Sequence, residues 1–299
     1  MQEVGSFQRF LISTSSVQPA GQEMVATFAD SQNLTIENWL SQPDSPRTAC
    51  YAMAGTPIDM ASCIRLRADA DMAKLDINWQ FRQHPVRLLL ADMDSTIITS
   101  ESLDDLAEMA GIGDAVQDIT RRAMAGALDF EEALNERVSM LTGQPDSLLK
   151  RLIEETQFMP GAETLLRTLK ARDVACYLVS GGFTFLTSVV AQKLGFDGHY
   201  ANQMAIEDGQ LAGTVIGPIL GREAKLDRLL ERAHTHGIDL SESCCIGDGA
   251  NDLAMLRAAG LGVAYQGKPL LRQEINTQLN HTDLTGLLFL QGIAERDFQ

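Results

Sequence analysis

Residues 88–91, Leu-Leu-Leu-Ala, carry no polar side chain, and the run stops abruptly at two carboxylates, Asp92 and Asp94, with Ser95 and Thr96 behind them. A short run that is apolar at every position, not at alternate ones, suits a strand buried on both faces of a parallel sheet. In open α/β sheets, ligands bind beyond the carboxyl ends of the strands. The pattern therefore delivers two acids to the edge where such folds do chemistry. Carboxylates one residue apart repel, so each favours a cation or a proton nearby. A bound Mg²⁺ would keep one ionised while the other moves a proton. Asp92 can also act as a nucleophile toward phosphorus, since carboxylates form aspartyl-phosphates. A solvated turn is the alternative for a bare Asp-x-Asp, and the buried strand before it argues against that.

Two further apolar runs end the same way. Residues 174–179 lead into Ser180-Gly181-Gly182, and residues 243–246 lead into Gly247-Asp248-Gly249-Ala250-Asn251-Asp252. Strands alternating with helical stretches imply a doubly wound parallel sheet, a Rossmann-like α/β class, with all three tips on one edge. Phosphoryl transfer needs positioning and charge neutralisation. Ser180 can donate its hydroxyl, and the Gly181 N–H, expected at the start of a helix over 183–194, suits phosphate oxygens. Lys225, on a helix expected over 222–235, can supply positive charge. Asp248 can complete a Mg²⁺ site with Asp92 and the backbone carbonyl of Asp94. Gly247-x-Gly249 lacks the third glycine of the dinucleotide fingerprint, and Ser180 does not sit in a Gly-x-Ser-x-Gly elbow.

Composition narrows the partners. With 24 Lys and Arg against 40 Asp and Glu, the net charge is −16, which disfavours nucleic acid and anionic membranes as partners. An anionic substrate must be drawn in by local cations. The five cysteines, Cys50, Cys63, Cys176, Cys244 and Cys245, form no Cys-x-x-Cys pair, so neither a disulfide framework nor a zinc site is expected, in keeping with a reducing cytoplasm. No segment approaches the roughly 20 apolar residues of a membrane span, and no signal or lipidation pattern stands at the N-terminus.

Two flanking regions complete the organisation. Residues 1–82 read as a separate α+β unit: strands over 7–14, 34–40, 48–54 and 77–81 with helices over 18–31 and 59–71, a ferredoxin-like βαββαβ order. A linker is expected over 80–85. Residues 83–299 read as the catalytic unit. Its stretch from about 100 to 158 reads as several amphipathic helices, too long for a single crossover and placed to cover the site. Residues 200–215 read as a hairpin turning at Asp208-Gly209, and 262–265 as a final short strand.

Taken in order, Asp-Met-Asp-Ser-Thr at 92–96, Ser180-Gly181-Gly182, Lys225 and Gly-Asp-Gly-Ala-Asn-Asp at 247–252 resemble the four motifs of the haloacid dehalogenase (HAD) superfamily of phosphohydrolases. The resemblance covers about residues 86–285, and the spacing and helical insertion look like its phosphoserine phosphatases. The N-terminal unit resembles a divergent ACT domain in pattern only, which implies a regulatory or dimerising module and names no ligand residue. The HAD resemblance implies that Asp92 is the nucleophile and Asp94 the acid/base. Lys225 and Ser180 would hold phosphoryl oxygens, with Gly181 and Asn251 beside the phosphoryl group. Asp92, the Asp94 carbonyl and Asp248 would bind Mg²⁺, supported by Asp252. It further implies that Glu101 binds the substrate ammonium and Arg137 its carboxylate, while Met124 and Phe130 close the pocket. The activity implied is hydrolysis of phosphoserine, a small-molecule substrate, in the last step of serine synthesis. A homodimer is one of the states left open. Two alternatives stand beside this reading: another phosphatase or phosphotransferase on the same fold, and an amino-acid sensor acting through the N-terminal unit.

Overall fold

The computed structural model describes residues 6–15, 21–81, 86–124 and 128–299, without the side chains at 123 and 124. The N-terminal part runs β1 (Ser6–Ser15), α1 (Gly21–Ser31), β2 (Leu34–Trp39), β3 (Arg47–Asp59), α2 (Met60–Met72) and β4 (Asp76–Asn78). These strands form an antiparallel sheet in the order β2-β3-β1-β4. The sheet is covered on both faces. Phe10, Ile12, Cys50 and Ala52 pack with Val25 and Phe28 of α1 and Cys63 and Leu66 of α2. Leu11, Ala49 and Tyr51, which point the other way, belong to the core that contains Val86, Phe289, Leu290 and Ile293. Residues 10–12 and 49–52 are accordingly apolar or aromatic at successive positions, and all are buried. β4 is shorter than the 77–81 expectation because residues after Asn78 leave the sheet.

The second sheet opens at β5 (Leu88–Ala91), whose residues are all fully buried. The chain then leaves through α3 (Ser102–Met109), α4 (Gly113–Met124), α5 (Phe130–Ser139) and α6 (Ser147–Glu155). These four helices form a cap. Its two connections run side by side: Ile98 and Phe158 form an antiparallel bridge, the Thr99 N–H donates to the Gln157 carbonyl, and the Met159 N–H donates to the Ile97 carbonyl. Both ends of the insertion are therefore fastened at one point beside the site.

After α7 (Ala162–Lys170) come β6 (Ala175–Phe183), α8 (Thr184–Leu194), β7 (Gly198–Glu207), β8 (Gln210–Ile216), α9 (Arg222–His236), β9 (Ser243–Gly247), α10 (Leu253–Ala258) and β10 (Leu261–Tyr265). The chain ends through α11 (Pro269–Glu274), β11 (Thr277–Leu279) and α12 (Gly286–Phe289). The sheet order is β11-β10-β9-β5-β6-β7-β8, parallel except for β8. The three strands that carry the polar tips, β9, β5 and β6, are neighbours at its centre. The hairpin turns at Asp208 and Gly209, both with positive φ, as the sequence predicts. The last strand is not β10: β11 extends the sheet by one more edge strand, too short and too polar to show a strand period. None of the five cysteines is in a disulfide, and all are buried.

The N-terminal sheet is joined to this edge by side-chain hydrogen bonds. The Asn78 amide donates to the Gln278 carbonyl (2.9 Å), and the Gln278 N–H donates to Asn78 Oδ1 (2.8 Å). The fully buried Asp76 carboxylate accepts from the N–H groups of Asn280, His281 and Thr282. Burial pushes its carboxyl pKa upward, with those hydrogen bonds opposing the shift.

Candidate active site

Asp92 follows β5 directly, and its N–H continues the ladder to the Ile246 carbonyl of β9. Its Oδ1 accepts from the Met93 N–H (2.8 Å) and lies 2.7 Å from Lys225 Nζ. Lys225 comes from the first turn of α9 and is itself buried; its Nζ also reaches Asp252 Oδ1 at 2.6 Å. The second Asp252 oxygen accepts from the Gly249 N–H, 3.0 Å away. A Cβ on Gly247 would lie 2.4 Å from the Asp252 carboxyl carbon, so this strand tip needs glycine to admit that side chain.

Asp92, Asp248 and Asp252 are buried, and each can offer one oxygen within 4.8 Å of the other two. Burial and the carboxylates of Asp252 and Asp248 push the Asp92 pKa up, against the pull of Lys225. For Lys225 the carboxylates outweigh burial and raise its pKa, so it stays charged. Three buried carboxylates share the buried Lys225 ammonium and, at Asp248, the half-exposed Lys268 ammonium, which still leaves excess negative charge. A hard divalent cation suits this all-oxygen donor set and would restore the ionised form of Asp92.

Asp94 is partly buried. Its Oδ1 accepts from the Ser102 N–H (2.7 Å), and its Oδ2 accepts from Ser180 Oγ (3.0 Å). Burial raises its pKa, while these hydrogen bonds pull it down. A carboxyl whose pKa is pushed upward beside Asp92 is better suited to protonating a leaving group than an ordinary carboxylate. Ser95, with φ 53°, turns the chain away from the strand, and its N–H donates to the Ser100 carbonyl.

The Ser180-Gly181-Gly182 tip departs from its expected geometry. β6 continues extended through Phe183, and α8 begins only at Thr184. Gly181 is therefore not at a helix start, and its N–H does not benefit from a helix N-terminus. The Ser180 hydroxyl donates to Asp94 and accepts from the Gly182 N–H (2.8 Å). It contacts the acid/base candidate directly, a link the sequence reading did not contain.

The cap supplies the remaining wall. An Asp129 capping box with Glu132 starts α5. Phe130, Leu134 and Arg137 then fall on one face at helical spacing, and all three line the cavity with Glu101, Asp92, Asp94, Gly181, Asp248 and Asn251. Phe130 lies over Gly181, where an added Cβ would come within 3.1 Å of its ring. Arg137 is mostly buried, with Nη1 3.7 Å from Asp104 Oδ1. Burial lowers its pKa, opposed by Asp104, Glu101 and Asp94. Glu101 stands at the N-terminus of α3 and accepts from Ser95 Oγ (3.0 Å). Met124 ends α4, and its side chain lies outside the described residues.

One charged lining residue was missed. Lys268 Nζ lies 3.0 Å from Asp248 Oδ2 and 3.1 Å from Glu101 Oε1. A lysine before a proline on a surface loop gives no sequence signal of a site.

Comparison with known proteins gives the family. Residues 89–257, more than half of the chain, match the haloacid dehalogenase-like hydrolase family. A phosphoserine phosphatase of Streptomyces coelicolor is 43% identical over 213 residues, which cover 71% of this chain and 52% of that protein. The chain thus spans about half the length of the first curated relatives it matches. A HAD family hydrolase from Salmonella enterica superposes with a TM-score of 0.84 at 26% identity, over 95% of this chain and 98% of that one. A phosphoserine phosphatase solved as a phospho-aspartyl intermediate analogue has a TM-score of 0.65 at 36% identity, over 69% of this chain and 98% of that one. Among the described residues, no helix is long and apolar enough to cross a membrane. The chain belongs to the haloacid dehalogenase-like hydrolase family.

Proposed function

We propose that the chain is a Mg²⁺-dependent phosphoserine phosphatase that releases L-serine and phosphate in a reducing cytoplasm, as the serine-forming last step of a synthetic sequence. The observation that carries it is a paired-carboxylate strand tip, Asp92 and Asp94, roofed by a cap that brings Glu101 and Arg137 into the same cavity. Relatives of 36–43% identity bear this activity in their names.

In this reading the Asp92 carboxylate attacks phosphorus while the P–O bond to serine breaks, and Asp94 gives its proton to the departing oxygen. Asp94, now ionised, takes a proton from water; the resulting nucleophile attacks phosphorus and frees Asp92 and phosphate. Lys225 balances Asp92 from its buried position, and Ser180 acts both on phosphoryl oxygens and on Asp94. Gly181 and Asn251 border the phosphoryl group. Asp92, Asp248 and the Asp94 carbonyl would hold Mg²⁺, with Asp252 steadying Lys225; the ion would neutralise phosphoryl charge. Arg137 takes the substrate carboxylate, for which a guanidinium fork is suited, and Glu101 takes the ammonium. Phe130 closes the pocket from above, with Met124 assigned the same part.

Phosphate release from L-phosphoserine, phosphothreonine and phosphoethanolamine, with Mg²⁺ and with chelator, tests the proposal. Metal-dependent turnover that strongly favours phosphoserine is expected. Turnover of another ester would keep the chemistry and cancel the substrate.

A further inference from the structure

Lys268 occupies an unusual position for a half-exposed lysine. Its backbone N–H donates to the Asp248 carbonyl (2.8 Å), and its side chain returns to the Asp248 carboxylate. The loop that bears it is anchored on both sides: β10 lies behind it, and Pro269 opens α11, whose Leu271 is fully buried. The ammonium is therefore presented from a fixed base. It takes one oxygen of Asp248, on the body of the protein, and one oxygen of Glu101, on the first cap helix. Ser95 donates to that same Glu101 oxygen, so Oε2 is left for a ligand.

We propose that Lys268 is a positioning residue for amine recognition: it bridges Asp248 to Glu101 and aims the second Glu101 oxygen at the substrate ammonium. The inference rests on the phosphoserine reading of the site. Without Lys268, Glu101 keeps only its contact with Ser95 and rotates freely on a helix end, so amine binding loses its preorganisation. Lys268 and Glu101 are half-exposed, and such a pair contributes little to folding. Asp248 is buried, but its carbonyl keeps the Lys268 backbone N–H when the side chain is replaced, so the loop stays anchored.

The test compares wild type, Lys268→Met and Lys268→Arg on L-phosphoserine and on the phosphate ester of 3-hydroxypropionate, which keeps the carboxylate and lacks the amine. Lys268→Met is expected to raise KM for phosphoserine about tenfold with kcat within threefold, to change the amine-free ester by less than threefold, and to be rescued in part by Lys268→Arg. Mn²⁺ binding in the absence of substrate, followed by electron paramagnetic resonance, is expected to be no weaker than in wild type, because a cation near Asp248 has been removed. Equal losses on both esters, or Mn²⁺ binding weakened tenfold, would overturn the proposal and make Lys268 a prop for Asp248 alone. A wild type with no preference for the amine-bearing ester would overturn the phosphoserine reading and the proposal with it.

Discussion

Lys225 and Asp92 form an ion pair of 2.7 Å in which both side chains are almost completely withdrawn from water. Removing one partner of such a pair strands the other charge. Lys225→Met is expected to cost about 3–5 kcal/mol of stability and to abolish turnover, because Asp92 and Asp252 would face each other uncompensated. Urea unfolding together with phosphate release checks it. A variant as stable as wild type would mean that the carboxylates simply take up protons.

Asp92→Asn separates chemistry from folding. The amide oxygen can still accept from the Met93 N–H, so the fold should survive, with near-unchanged circular dichroism. Turnover should fall below about 10⁻³ of wild type, a loss of at least about 4 kcal/mol in transition-state stabilisation. Appreciable activity in a clean preparation would remove Asp92 as nucleophile.

Ser180 tunes Asp94, and the sign of its effect is fixed. Its hydroxyl stabilises the ionised carboxylate and so lowers the Asp94 pKa. Ser180→Ala should raise that pKa. In the proposed mechanism Asp94 must be protonated to release serine, so the alkaline limb of kcat/KM should move to higher pH, besides any general loss of rate. A limb that moves down, or stays fixed, would dissociate Asp94 from proton delivery.

The carboxylate contact proposed for Arg137 predicts a change in specificity. Charge-assisted hydrogen bonds contribute about 1.5–3 kcal/mol, so Arg137→Ala should reduce kcat/KM for phosphoserine by roughly 10–100-fold. Phosphoethanolamine, which has no carboxylate, should lose far less. Equal losses on the two substrates would take Arg137 out of carboxylate recognition.

These sites differ in how far the sequence exposes them. Asp92, Asp94, Asp248 and Asp252 are legible because they follow two buried apolar strands, and parallel topology brings the ends of those strands together. Glu101 and Arg137 are legible only through resemblance, since acidic and basic residues on helices are normally solvated. Lys268 carries no signal, because its role arises where the β10–α11 loop folds back over Asp248. The helix expected over 183–194 begins at Thr184, so Gly181 sits on extended chain, where the Ser180 hydroxyl accepts from the Gly182 N–H. The double coverage of the N-terminal sheet was readable in principle. Phe10-Leu11-Ile12 is apolar at successive positions, a pattern that a sheet with one solvated face does not show.

That coverage gives the last prediction. Asn78 and Gln278 exchange two hydrogen bonds across the junction of the two sheets, and both are buried. Asn78→Ala leaves the Gln278 N–H and carbonyl without those partners at a dry edge, at a cost of about 1–3 kcal/mol for each unsatisfied group. Asn78→Asp keeps an acceptor for the N–H but sets a carboxylate against the Gln278 carbonyl. Both variants should unfold at lower urea concentration, Asn78→Asp more so at neutral pH than near pH 4, where protonation restores a donor. Unchanged midpoints would mean that the two sheets are joined by the apolar contact of Leu11 and Tyr51 with Phe289 and Leu290, and that this polar clasp adds nothing.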